Sequence, residues 1–342
     1  MSGDSLDVND LGSTGETTRR LGPDADGLAE AAGLLRAGRL VAFPTETVYG
    51  LGADATDPAA VAALYAAKAR PRFNPLIAHL PDLDAARREG AFDAEALRLA
   101  EAFWPGPLTL VVPCAAGGRV TDLARAGLPS VALRVPAAPL ARDLLMRVGR
   151  PVAAPSANRS GRVSPTAAAH VLGDLDGRIA AVLDGGTCPV GVESTIVACL
   201  DGAPRLLRPG GVPREAIEAL LGRALLAPPG GPAAQGGATP LSPGLLASHY
   251  APRAGVRLDA GEIRPGEAAL LFGPVALPGL ARARAQLNLS PAGDLAEAAA
   301  NLFAHLRQLD ASGAATIAVA PIPRTGLGEA IADRLQRAAA PR

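Results

Sequence analysis

Between Ala227 and Pro243 the sequence loses every hydrophobic period that could bury a face, running through Pro228-Pro229-Gly230-Gly231-Pro232 and Gly236-Gly237. Proline removes backbone donors and glycine removes side-chain contacts, so this stretch reads as a linker and not as part of a helix or sheet. It divides the 342 residues into two parts that must each build a core, and a length of this order already favours about two domains. Apolar residues make up 49% of the chain, enough for both cores. The expected division is a disordered tail over residues 1–23, a first domain over 24–222, a linker over 223–254 and a small second domain over 255–342.

On both sides of the linker, helical and extended patterns alternate, which predicts an α/β fold. Ala29 to Leu35 has a helical period that closes near Gly38, followed by a strand pattern through Leu40-Val41-Ala42-Phe43. Asp57-Pro58 is an N-cap followed by proline at the first helical position, opening a helix to about Ala69. Val61, Leu64 and Lys68 share one stripe of it, which places Lys68 on the buried side in the last turn. Pro75–Leu80, Ser130–Val135 and Pro151–Pro155 read as short strands, and alternation in the second puts Ser130 and Arg134 on one face, ~13 Å apart. Gly191–Leu200 and Arg205–Arg208 read as hairpin arms around Asp201-Gly202. Beyond the linker, Ala268–Phe272 and Thr316–Ala320 read as strands, and Asp294–Leu309 and Glu329–Ala339 as helices.

The formal net charge is zero, so no global basic field draws in nucleic acid or an acidic membrane. Cys114, Cys188 and Cys199 form no C-x-x-C pair, which argues against a disulfide framework or a cysteine zinc site and suits a reducing cytoplasm. The first twenty residues are polar and lack the apolar core of a secretory signal. No apolar run reaches ~18 residues, so no membrane span is expected.

Of 33 basic residues one is a lysine, Lys68. A chain that uses arginine for almost every cation and keeps one compact ammonium suggests a phosphate-binding point charge, although a chance survivor on a solvated face would look the same. Arg70, Arg72 and Asn74 follow it in a proline-stiffened segment suited to a triphosphate. The loop Ser156 to Thr166 leaves a strand carrying hydroxyls and guanidiniums, and Ser164-Pro165 is expected to cap a helix whose free N–H groups favour an anion. Thr45-Glu46-Thr47 with Tyr49, then Glu193-Ser194-Thr195, and Arg208 place further polar groups at strand ends. His79 reads as an orienting group more than a base. Ser242-Pro243-Gly244 followed by His249-Tyr250-Ala251-Pro252 is too patterned for a spacer and suggests a docked linker. Gly326-Leu327-Gly328 reads as close packing and not as a nucleotide loop. There is no nucleophile triad and no metal-ligand spacing.

Phe43-Pro44-Thr45-Glu46-Thr47-Val48-Tyr49-Gly50-Leu51-Gly52, the Lys68–His79 block, Pro155-Ser156-Ala157-Asn158, Ser164-Pro165-Thr166, Gly191-Val192-Glu193-Ser194-Thr195 and Leu207-Arg208-Pro209-Gly210 together resemble the YrdC-like family. The Ser242–Pro252 pattern and the Gly326-Leu327-Gly328 to Asp333-Arg334-Leu335 tail resemble its two-domain form, the threonylcarbamoyl-AMP synthases. The resemblance implies a twisted mixed sheet with helices plus a smaller Rossmann-like α/β domain. It also implies synthesis of L-threonylcarbamoyladenylate from L-threonine, bicarbonate and ATP, with release of pyrophosphate, for modification of tRNA adenosine. By this resemblance Thr47, His79, Arg134 and Thr195 would hold L-threonine. Lys68, Arg70, Asn74, Ser130, Ser156, Ser164, Arg208 and Tyr250 would hold ATP, with Lys68 and Arg70 as the catalytic cations. Ala69 and Ser130 depart from glycine and threonine common in the family, and neither change removes a functional group. Mg²⁺ would arrive on the ATP phosphates with no protein-held metal, and the product would pass to downstream tRNA threonylcarbamoyl-transferase proteins.

Positioning and charge neutralisation suffice for such chemistry, which fits many Arg, Ser and Thr side chains without a triad. The alternatives are an RNA-binding module and another carbamoyl-transfer enzyme built on the same domain. Aromatic residues at 3% leave few stacking platforms for RNA, and the cysteine zinc motifs of hydrogenase-maturation carbamoyltransferases are absent. Whether the chain itself touches tRNA is left open.

Overall fold

The computed structural model describes residues 17–71, 73–227 and 249–341. Ten short strands build the larger sheet: β1 (Arg19–Leu21), β2 (Val41–Pro44), β3 (Tyr49–Asp54), β4 (Ile77–His79), β5 (Leu108–Pro113), β6 (Ser130–Arg134), β7 (Val152–Ala153), β8 (Ala181–Leu183), β9 (Thr195–Ala198) and β10 (Arg205–Arg208). Their spatial order is β1-β8-β2-β3-β7-β4-β6-β5-β9-β10, with parallel and antiparallel neighbours mixed. Apolar side chains cover both faces of the sheet in two separate clusters.

Local chemistry explains the elements that frame the site. Asp57 caps the helix Pro58–Lys68 by accepting from Ala59 N, and Ala69 ends it in the left-handed region at φ 50°. In β6, Val131 and Leu133 pack into the main core while Ala132 faces a smaller cluster with Ile77, Val111 and Ile196. β9 and β10 pair antiparallel with a register shift between Leu206 and Arg208.

The amino-terminal expectation fails over residues 17–23. Arg19–Leu21 pairs in parallel with β8, and Thr18 Oγ1 donates to Ile179 O at 3.0 Å. Only Leu21 of the three strand residues turns inward, so a three-residue edge strand rich in arginine shows no readable period. Residues 1–16, Arg72 and residues 228–248, with Ser242-Pro243-Gly244, lie outside the described residues.

The second unit is a four-stranded parallel sheet of β11 (Gly255–Arg257), β12 (Ala268–Leu271), β13 (Ala285–Asn288) and β14 (Thr316–Val319) in the order β11-β14-β12-β13. Helices Leu295–Ala311 and Leu327–Ala339 pack on it. Gly328 permits the tight entry to the second helix, since a Cβ there would sit 1.9 Å from Pro323 O.

This unit's core does not stop at its own boundary. Val48, Val163 and Val192 of the larger sheet's loops share one apolar cluster with Leu302, Phe303 and Leu306. Arg307 donates to Asp174 at 2.6 Å, and Arg214 Nε to Glu329 at 3.2 Å. Gly191, at φ 76°, fits directly against helix Leu295–Ala311, where a Cβ would meet Ala299 O at 2.2 Å and Ala300 Cα at 2.4 Å. Gly191→Ala is therefore expected to separate the two units locally and cost about 2 kcal/mol or more. Gly117→Ala, where no atom lies within 4 Å, is the control. Thermal unfolding checks this: a clear drop in Tm for the first variant and none for the second.

Candidate functional site

A small cavity sits where the ends of β4, β6 and β7 meet the hairpin β9–β10 and the strap His249-Tyr250. Its walls include Val48, Arg70, His79, Arg134, Pro155, Ser156, Glu193, Ser194, Arg208, His249 and Tyr250. It encloses about 40 Å³, room for a few waters.

One end is built on Arg134. Its Nη2 donates to Glu46 Oε1 at 2.6 Å and to Thr47 Oγ1 at 2.9 Å. Glu46 Oε2 in turn accepts from Ala137 N at 3.0 Å. Thr47 and Thr45 share a hydroxyl hydrogen bond of 2.8 Å, and Thr45 Oγ1 donates to Val48 O, so the whole turn is fixed. His79 lies in β4 beside Arg134 in β6, since the two are register partners. Its ring meets Phe43 edge-on at 6.4 Å. Burial, and then the Arg134 charge, push the imidazole down to about 3, so it is neutral at physiological pH.

The other end is cationic. Lys68 Nζ donates to the carbonyl oxygens of Ser156 and Asn158, and Asn158 Nδ2 ties that loop by donating to Arg159 O and Arg162 O. Arg70 Nη2 donates to Pro75 O at 3.2 Å while its buried Nε has no partner. Arg208 Nη2 donates to Ser194 O at 2.8 Å. Burial lowers all three cations, with Lys68 held well below the usual lysine range and Arg70 brought to about 10. Among the described residues none of the three has an ion-pair partner. The one carboxylate in the wall, Glu193, is already engaged by Ser164 Oγ at 2.6 Å and Arg334 Nε at 2.9 Å. Burial raises its pKa, but Arg334 and Arg208 outweigh that and hold it ionised below the ordinary carboxylate range.

Over this cationic end lies the strap. Tyr250 adopts φ 62°, a left-handed conformation rare for a bulky side chain. Its ring stacks on Phe303 at 5.6 Å and contacts the His249 ring at 4.1 Å.

The structure thus brings Arg70, His79, Arg134, Ser156, Arg208 and Tyr250 to one cavity, with Thr47 bonded to Arg134. Lys68, Asn74 and Ser130 are buried but lie outside the lining. Two expectations need correcting. Thr195 does not reach the cavity: its hydroxyl donates to Val212 O at 2.6 Å and accepts from Val212 N at 3.0 Å, while the neighbouring Ser194 lines the wall. Ser164 is not a helix cap, because the helix runs over Ala168–Leu175 with Ala167 preceding it. Pro165 and Thr166 are first drawn to the sheet, where their carbonyls accept from Tyr49 N and Cys188 N, so Ser164 is left to bond Glu193. Arg334 received no role from sequence, although an arginine on the apolar stripe with Ile331, Leu335 and Ala338 was the available signal.

Residues 33–210 match the Sua5/YciO/YrdC family, described under telomere recombination, and residues 212–340 match a threonylcarbamoyl-AMP synthase C-terminal domain. Threonylcarbamoyl-AMP synthase of Bacillus subtilis strain 168 is 41% identical over 339 residues, covering 95% of this chain and 96% of that one. The enzyme of the same name from Pyrococcus abyssi is 41% identical, covering 90% and 92%. The crystal structure of P. abyssi Sua5 complexed with L-threonine superposes with a TM-score of 0.85 at 37% identity, over 94% of this chain and 97% of that one.

Burial also holds the strap's His249 to about 3, against 6.5 for a free imidazole. The unfolded chain therefore binds protons at His79 and His249 that the folded protein refuses. Stability supplied by these two groups is complete above pH 6.5 and is lost as the pH falls toward 3. Urea midpoints measured across that window should fall steadily, and the double variant His79→Gln/His249→Gln should show a shallower pH slope.

Proposed function

The chain belongs to the Sua5/YciO/YrdC family in its two-domain form, and from that premise we propose how its own residues carry the synthesis of L-threonylcarbamoyladenylate. The substrates are L-threonine, bicarbonate and ATP. The threonine amine attacks the bicarbonate carbon and water leaves, giving a carbamate. A carbamate oxygen then attacks the α-phosphorus, and the bond to the bridging oxygen breaks to release pyrophosphate. The adenylate product serves threonylcarbamoyl modification of tRNA adenosine.

The observation that carries this reading is the division of charge in the cavity. Arg134 presents a planar guanidinium, already oriented by Glu46 and Thr47, to an amino-acid carboxylate. Neutral His79 beside it orients the bound amino acid without adding charge. Thr195 acts at one remove, anchoring the hairpin that presents Ser194. At the other end Arg70 and Arg208 in the wall, with Lys68 buried behind Ser156, have no ion-pair partner among the described residues, an arrangement that suits a polyphosphate. Ser156, Asn74 and Ser130 support that end, and Ser164 acts through Glu193. Lys68 and Arg70 carry the charge that stabilises the departing pyrophosphate.

Among the described residues no group of three or more His, Cys, Asp or Glu side chains converges on a metal position, and Glu193 is taken by Arg334 and Ser164. Mg²⁺ borne on the ATP phosphates would neutralise part of their charge at this end. Tyr250 stands in the cavity wall with His249, a position from which the strap can act as a lid over the nucleotide. Transfer of the product to a downstream tRNA-modifying enzyme in the cytoplasm completes the role. No helix among the described residues is long and apolar enough to cross a membrane.

Pyrophosphate release from ATP and bicarbonate should depend on L-threonine and be weak with L-serine. Lys68→Ala should lower kcat by ~10²-fold or more, the usual cost of removing one preorganised charge from a developing anion. Arg134→Ala should chiefly raise KM for L-threonine. Release that ignores L-threonine in the folded protein would overturn the assignment.

A further inference from the structure

Helix Leu327–Ala339 turns a stripe of Ile331, Leu335 and Ala338 inward, and Arg334 shares that stripe with no exposed surface. An arginine this deeply buried must be held by partners or it would destabilise the helix. Three of its contacts lie in the cavity wall or next to it, outside the second sheet and its helices. Nε donates to Glu193 Oε2 at 2.9 Å. Nη1 donates at 2.7 Å to Pro209 O, the residue after Arg208. The guanidinium carbon stands 5.4 Å over the Tyr250 ring. Asp333 supplies a local counterion at 2.9 Å.

These contacts have little slack. Gly211 N donates to Glu193 O at 3.0 Å. A Cβ at Gly210 would lie 2.3 Å from Thr195 N and 2.4 Å from Glu193 O. The two segments that Arg334 holds therefore move together. Charge gives the second half of the argument. Arg334 pairs directly with Glu193, and Arg208 is the second cation whose charge reaches that carboxylate. While Arg334 holds the carboxylate in a direct pair, Arg208 bonds Ser194 and not Glu193, which leaves its guanidinium for a ligand. Without Arg334, the Glu193 carboxylate is free to pair with Arg208 and to repel an anion at that end of the cavity.

We propose that Arg334 is a positioning residue through which the second unit controls the nucleotide end of the site, by fixing Glu193, Pro209 and Tyr250 and by withholding Glu193 from Arg208. This rests on the synthase reading above and extends it to a part of the chain that carries none of the substrate-binding residues apart from the strap. It predicts a selective defect, since Thr47, Glu46 and Arg134 at the threonine end make no contact with Arg334.

The test is calorimetric binding of L-threonine and of the non-cleavable analogue α,β-methylene-ATP with Mg²⁺ to the full chain. The variants are Arg334→Met, Glu193→Gln and the double variant. Arg334→Met is expected to weaken analogue binding roughly tenfold or more, with L-threonine affinity within about twofold of wild type. The double variant should recover much of the analogue affinity, because the freed carboxylate is gone. A merely structural arginine would not give that recovery. Should Arg334→Met fail to fold, Arg334→Gln alone and with Glu193→Gln provide the same comparison. A folded single variant that binds the analogue like wild type overturns the inference, and so does a double variant no tighter than the single. A wild-type chain that binds neither ligand overturns the synthase reading and this inference with it.

Discussion

Lys68, Arg70 and Arg208 are buried with no ion-paired carboxylate among the described residues, and much of the site follows from how the fold tolerates that. An uncompensated buried charge costs several kcal/mol, so each cation must find negative potential nearby. Here it comes from main-chain carbonyls: Ser156 and Asn158 for Lys68, Pro75 for Arg70, Ser194 for Arg208. Those carbonyls belong to the loops that wall the cavity. The cations therefore set the loop conformations, and the loops set the cavity's shape. Carbonyl dipoles satisfy a cation only in part. An anion entering this end meets sites already desolvated and oriented, and so avoids most of the reorganisation that binding in water would require.

The Arg134 end solves the opposite problem. There the buried guanidinium has a full counterion in Glu46, and Glu46 is completed by the backbone N–H groups of Ala137 and Ala138. The local charge is balanced, which suits a zwitterion carrying one carboxylate and one ammonium. A balanced end and a cationic end in one cavity discriminate by charge before any side-chain recognition occurs. The second unit matters to this division because it supplies Arg334, which prevents Glu193 from neutralising the cationic end.

How much of this was legible in the sequence depends on the range over which each feature is encoded. Asp57-Pro58 specified its helix because capping is local, and the alternation around Arg134 placed that residue on the correct face of β6. Strand Arg19–Leu21 was invisible because a single inward leucine makes no pattern. Ser164 was misread because an N-cap signature cannot reveal that Pro165 and Thr166 are held by Tyr49 of β3 and by Cys188 in the loop beyond β8. Thr195 and Ser194 differ by one position. Thr195 is held by its bonds to Val212, a partner 17 residues on, while Ser194 lines the wall. Arg334 is the instructive case. Its place on an apolar stripe announced a buried charge, but its partner lies 141 residues away in sequence.

The position of the single lysine has a physical reason. Lys68 ends its helix, and two carbonyls of one tight loop converge on its ammonium from Ser156 and Asn158. A guanidinium is planar and wider, and its five donors could not all be satisfied by two oxygens in a space left with 1% exposure. Ser160 N also donates to Lys68 O, so backbone and side chain of one residue both hold the loop, with no room to shift it outward. Arginine here would leave several donors buried without acceptors. Each would carry the desolvation penalty of an unmade bond, about 1–3 kcal/mol and more for a charged group. A sequence that replaces lysine almost everywhere thus meets, at this position, a packing limit as well as a chemical one. The compact charge that suits a phosphate is also the one that fits its cage.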